Sequence, residues 1–188
     1  MKKKNGNGWK IILAAIMATV IAGLPAHSLY AATAKEIDVG VDAALALFSK
    51  QVKGSQAYLD AAKGILVIPR LAQAGLIVGG EYGEGALRIG GKTVDYYSLA
   101  AATLGVQAGV QEKDIILVFL DEEALKKFRS GDGWQAGVDG TVVAVDQGIE
   151  GSVDTTKMNQ PIVAFVVGQR GLMAGASFEG TKFTKLKR

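Results

Sequence analysis

The spacing of apolar positions changes along the chain, and the changes mark out its elements. Ile37, Val41, Ala44, Leu45, Phe48 and Val52 recur at three- and four-residue intervals, which predicts an amphipathic helix over 34–52. Thr33 and Glu36 stand at capping-box spacing before it. Gly54-Ser55 ends that helix, and Ser55 can cap a short second helix over 56–63. After Gly64 the period is lost. Ile65-Leu66-Val67-Ile68 is a continuous apolar run bounded by Gly64 and Pro69, as in a buried strand. Strands are expected over 75–81 and 86–89, around a glycine-rich stretch. Gly90-Gly91 then reads as a hairpin turn into a strand over 93–97. Residues 99–110 fit two readings: the alanines allow a helix, whereas Gly105 and Gly109 favour a strand.

Residues 115–120 form another wholly apolar strand. A well-marked helix follows, with Asp121 as N-cap, Glu122 and Glu123 in the first turn, and Lys126, Lys127 and Arg129 near the end. These charges complement the helix dipole, and Gly131 is placed to stop it. Glu122–Lys126 and Glu123–Lys127 have favourable i,i+4 spacing, and Leu125 and Phe128 can pack inward. Further strands are expected near 134–138, 141–146, 162–168 and 172–178. The order predicts an α+β fold: N-terminal helices packed on a largely antiparallel sheet, able to curl into a barrel, with one inserted helix. Residues 33–188 read as one domain without an internal linker.

The first thirty-odd residues have a different character. Lys2, Lys3, Lys4 and Lys10 precede an apolar run over 11–24, Pro25 breaks it, and small residues follow through Ala34. That order is expected of a secretion signal over about 1–32, cut between 31 and 34. Ala32-Thr33-Ala34 fits the small-x-small rule best, but cutting there removes Thr33, whereas cutting after Ala31 keeps it for the capping box. The apolar run is short against the roughly 20 residues that span a bilayer; an uncleaved anchor is the alternative. Export to the periplasm or cell envelope is the expected location. The segment also carries the charge asymmetry. Taking its four lysines from the 21 basic residues leaves 17 against 18 acidic ones, so a nucleic-acid partner is not expected. Lys182, Lys185, Lys187 and Arg188 remain as a basic C-terminal tail, a solvated end on the plainest reading.

Composition then limits the chemistry. The chain has no cysteine, hence neither disulfides nor a lipidated cysteine. Its single histidine, His27, lies in or beside the signal. Ser-His-Asp catalysis, Cys-His catalysis and soft-metal sites are excluded from the rest. Gly79-Gly80-Glu81-Tyr82-Gly83-Glu84-Gly85 lacks phosphate-loop spacing and a following lysine, and reads instead as close strand packing or turns. Asp132, Asp139 and Asp146 each lie near a glycine, as turn residues do, and do not follow a calcium-loop pattern. Helix capping explains Asp121, Glu122 and Glu123. No catalytic residue, metal or cofactor is assigned, and no enzyme activity is expected.

Several separated blocks carry a resemblance. Lys63-Gly64-Ile65-Leu66-Val67-Ile68-Pro69, Ala74-Gly75, the 79–85 stretch and Tyr96-Tyr97-Ser98 come first. Gly105-Val106-Gln107-Ala108-Gly109, Trp134-Gln135-Ala136-Gly137-Val138-Asp139-Gly140 and the block from Arg170 to Gly180 follow in order. Together they resemble the SYLF-domain family across most of 35–183. The resemblance implies a phospholipid-binding module; eukaryotic members bind phosphoinositides, some bind actin, and bacterial members are commonly exported. It implies anionic phospholipid as partner, reached through the amphipathic helix and nearby cations. Carried onto this chain, these are Leu45, Phe48, Lys50, Lys53, Lys63, Arg70, Arg88 and Lys92. Glu36, Asp38 and Asp42 make the start of that helix acidic, a departure that weakens electrostatic attraction. Phe48 and Leu45 either insert into a membrane or pack on the sheet. An envelope structural or protein-interaction module without lipid affinity is the alternative function, with its protein partner unspecified.

Overall fold

A computed structural model of the chain describes residues 32–75, 78–104, 111–145, 155–168, 171–172 and 177–188. The chain divides into Met1–Ala31 and Ala32–Arg188, and all described residues belong to the second unit. The expected secretion signal falls outside the described residues.

Helix α1, Ala34–Gln51, begins at a closed capping box. The Thr33 hydroxyl accepts from the Glu36 N–H at 3.3 Å, and the Glu36 carboxylate accepts from the Thr33 N–H at 2.8 Å. Four core residues, Ile37, Val41, Ala44 and Phe48, are buried along one stripe. Helix α2, Ser55–Ala61, differs from expectation at its start. Gly54, at φ 89°, takes the cap position with no side-chain hydrogen bond, and Ser55 lies buried inside the helix.

Strand β1, Gly64–Gly75, holds the apolar run. Leu66 and Ile68 join one core cluster and Val67 the other, so both faces of the strand are covered. The register of β1 slips against both neighbours around Pro69-Arg70, a bulge. Strand β2, Val78–Ile89, corrects the expectation of two strands: it runs unbroken through the glycine-rich stretch. A Cβ on Gly85 would lie 1.8 Å from the Val67 carbonyl oxygen. Glycine there lets β2 close onto the bulging β1. Gly90 and Gly91, at φ 57° and 76°, form the expected hairpin turn. Strand β3, Lys92–Leu104, continues well past residue 97, which settles 99–104 as strand; 105–110 lie outside the described residues.

Strand β4, Gln111–Phe119, leads into α3, Glu122–Arg129, whose first turn is capped by Asp121 accepting from the Ala124 N–H at 2.8 Å. The expected i,i+4 pairs give way to Glu123–Lys126 at 2.9 Å, while Lys127 donates to the Asp139 carbonyl. Ser130 forms the C-cap, and Gly131 follows it directly where the helix stops. Strands β5, Gly133–Gln135, and β6, Val143–Ala144, are shorter than expected, because turn residues 137–139 follow β5. A 3-10 turn, Thr155–Asn159, precedes β7, Ile162–Gly168. Of the strand expected over 172–178, only β8, Gly171–Leu172, is seen; Ser177 and Phe178 are not strand, and 173–176 lie outside the described residues. Strand β9, Lys182–Leu186, falls in what reads as a solvated tail.

The strands pair in the order β5-β9-β3-β2-β1-β4-β7-β6, with β8 also on β7. All pairs are antiparallel except β6 with β7. Trp134 and Phe183 from one end of this order share a core cluster with Ile162 and Val166 from the other. A flat sheet could not bring them together; the sheet curls into a half-barrel whose hollow is filled by Leu125 and Phe128 of α3. Helices α1 and α2 cover the outer face, on Val67, Ile116, Val163 and Phe165. The expected α+β architecture, with helices N-terminal to a curled and mostly antiparallel sheet, is what the chain adopts.

Candidate functional site

Helix α1 carries two stripes rather than one. Its core stripe faces the sheet. At 100° per residue, Lys35, Val39, Ala43, Ala46 and Lys50 fall within about 40° of a single line on the opposite side. All five are exposed, Val39 by 61%. The outward ridge is therefore apolar in the middle and cationic at both ends. That is unusual for a helix packed on a domain, whose outer face is ordinarily polar.

Beside this ridge the helix meets the bulge of β1. A Cβ on Gly40 would come within 3.0 Å of the Pro69 ring, so a glycine allows the close approach. Between them lies a groove of about 490 Å³, walled by Val39, Ala43, Leu47 and Pro69, with Lys35, Glu36, Arg70 and Asp114 also lining it. A smaller recess of about 150 Å³ shares Leu47, Arg70 and Asp114. Arg70 is exposed, at φ 49°, and its N–H donates to Asp114 Oδ1 at 2.8 Å. Hydrogen bonds from Thr33 hold the Glu36 carboxyl below the usual carboxylate range, with the Arg70 charge adding a little.

The other flank of α1 is a polar seam against the β2–β3 hairpin. Asp38 accepts from the Thr93 hydroxyl at 2.7 Å and from the Tyr96 hydroxyl at 2.9 Å. Arg88 bonds Asp42 and approaches Asp38 at 3.9 Å. Burial raises the Tyr96 phenol above its ordinary pKa, and the hydrogen bond to Asp38 adds to it.

The structure sorts the residues carried over by resemblance. Lys50, Lys53, Lys63, Arg70 and Lys92 are exposed. Leu45 is half-buried against the helix-side core. Two need correction. Phe48 is fully buried with its ring 4.7 Å from that of Phe165, so it packs on the sheet and does not reach the surface. Arg88 is largely buried and neutralised by Asp42 and Asp38; it is a strut between α1 and β2, not a free cation. The outward ridge of Lys35, Val39, Ala43 and Ala46 was missed. Its signal was present as a second set of three- and four-residue spacings, but alanine is a weak marker of a face.

A separate recess of about 320 Å³ opens on the hollow of the sheet, where Lys113 and Glu81 pair at 2.7 Å. No described helix is long and apolar enough to cross a membrane. No curated protein matches the chain. A family model does: Ysc84, described as Las17-binding protein actin regulator, over residues 100–188. That span takes in the end of β3, α3 and every strand from β4 to β9. Residues 100–188 thus match the Ysc84 model, which is consistent with the SYLF-domain resemblance carried by the sequence blocks.

Proposed function

We propose that the protein is a non-enzymatic phospholipid-binding module that rests on anionic membrane surfaces through the outward face of α1. The family match over residues 100–188 points to a lipid-binding or actin-regulatory module. The observation that carries the lipid reading is the exposed ridge of Val39, Ala43 and Ala46 between Lys35 and Lys50. An apolar strip with cations at its ends suits a membrane interface, where the apolar part sits among acyl chains and lysines reach headgroups. Magnitudes favour weak binding. One valine and two alanines offer on the order of 2–3 kcal/mol at about 25 cal/mol per Å², and each cation near an anionic surface adds about 1 kcal/mol. Attachment is reversible and partly screened by salt.

The basic, apolar and small-residue order of the first 34 residues supports export to the periplasm or cell envelope. Processing after Ala31 would leave the α1 capping box intact.

Co-sedimentation of processed protein with vesicles tests the lipid reading. Binding is expected with phosphatidylcholine vesicles containing phosphatidylglycerol and not with phosphatidylcholine alone. It should weaken, without vanishing, between low salt and about 0.15 M, and K50E/K53E should reduce it severalfold with the fold intact. Trp134, the one tryptophan beyond the first 34 residues, reports folding in the same samples. Folded protein that ignores anionic vesicles at low salt would sink this reading. An envelope interaction module would replace it, for which Val138, 72% exposed, offers a second apolar contact point.

A further inference from the structure

We propose that Arg70 is a phosphate-recognising residue, and that the groove beside it takes one anionic phospholipid at a time, the acyl chain lying between α1 and Pro69. This rests on the lipid-binding reading and goes beyond it: surface docking needs only a charged, apolar face, whereas this site fixes stoichiometry and selects a phosphate.

Arg70 stands out first by its backbone. Among the described residues it is the only one other than glycine with positive φ, 49°. A long side chain is strained in the left-handed region, and such outliers persist where the surrounding structure holds them. Here it is held by the bulge that shifts β1 against both β2 and β4, and by Asp114 accepting from its N–H. Glycine or asparagine would occupy the position with less strain. The arginine side chain is therefore unexplained by the fold.

Its guanidinium is also unlike those of the other described arginines. Arg88, Arg129 and Arg188 each pair with a carboxylate. The Arg70 guanidinium makes no hydrogen bond or ion pair among the described residues, and Arg70 lines both recesses. The nearby acids are occupied: Thr33 bonds Glu36, and the Arg70 N–H bonds Asp114. A planar fork of donors, free and exposed beside an apolar groove, complements a phosphodiester with a hydrocarbon tail. The groove, at about 490 Å³, falls within the roughly 300–1,000 Å³ of small-molecule sites. Lys35 at its rim adds a second cation.

The decisive variant is R70G. Glycine tolerates the left-handed conformation, so the melting temperature should be kept or raised while binding falls. A43W, on an exposed position of the groove wall, should block the acyl chain without removing charge. Calorimetric titration with short-chain phosphatidylglycerol below its micelle concentration is expected to give one lipid per wild-type protein. Affinity should drop at least tenfold in both R70G and A43W. Inorganic phosphate, lacking a tail, should bind at least tenfold more weakly than the lipid. Wild-type affinity in a folded R70G variant overturns the proposal, as does a wild type that sediments with anionic vesicles but binds no monomeric lipid. In those two cases docking through the α1 ridge survives. A wild type that binds neither vesicles nor monomeric lipid brings down both.

Discussion

Tyr97 shows how a single polar atom can sit at odds with its surroundings. Its ring packs 4.8 Å from Phe128 in the hollow of the sheet, and its hydroxyl is buried without a hydrogen-bond partner among the described residues. Burial pushes its pKa up to about 12; the Asp95 charge adds to the rise and Arg129 opposes it. A buried, unbonded hydroxyl costs about 1–3 kcal/mol, so Y97F should be neutral or stabilising, by about 1 kcal/mol. The pH dependence has a definite sign. In the unfolded chain the phenol ionises near pH 10, while in the folded protein it stays protonated to about 12. The folded state then holds the extra proton, and its stability falls as pH rises through that window. Lysines titrating in the same range affect both proteins, so the comparison is between them. Thermal unfolding at pH 8 and pH 11 should show a smaller loss for Y97F than for wild type. A clear destabilisation by Y97F at pH 8 would mean that the hydroxyl has a partner after all.

At the scale of elements, α1 shows where sequence is informative and where it stops. Its limits, its capping box and its core stripe all follow from residues within four positions of one another, and all were legible. Replacing Thr33 removes the cap: T33A should cost about 1 kcal/mol, read as a lower denaturation midpoint with an unchanged slope. No change would mean that the helix frays there already. The hairpin at Gly90-Gly91 and the α3 cap at Asp121 were legible for the same local reason. What was not legible depends on distant contacts. The glycine-rich stretch reads as a break because glycine has no face; that it is mid-strand follows from the Val67 carbonyl pressing on Gly85. Arg88 reads as a free cation because Asp38 and Asp42 lie 50 and 46 positions away. The groove at Arg70 could not be foreseen either, since it exists only where a bulge in β1 meets a glycine on α1.

For the whole molecule, the last strand matters more than its composition suggests. Four basic residues at the C-terminus read as a solvated tail, yet β9 lies between β3 and β5 in the sheet. Phe183 is fully buried, 5.7 Å from Phe128 and 5.9 Å from Trp134 between ring centres. Lys185 reaches Asp95 at 2.7 Å, sharing that largely buried carboxylate with Arg129 at 2.8 Å, and Arg188 pairs with Glu84 at 2.6 Å. Without β9, β3 loses its outer neighbour, β5 loses its only strand partner among the described residues, and the hollow loses an aromatic ring. F183A alone should cost about 3–5 kcal/mol, a large share of the roughly 5–15 kcal/mol that holds a domain together. Truncation after Thr181 removes that ring and the strand hydrogen bonds together. It should leave a chain that no longer unfolds cooperatively, with Trp134 emission shifted to the red. A solvated tail would instead leave the melting temperature and the emission unchanged. K185A separates the two contributions: Arg129 still neutralises Asp95, so its loss should be far smaller than that of F183A. If K185A is instead as damaging as F183A, charge at Asp95 rather than apolar closure of the half-barrel is what seats the final strand.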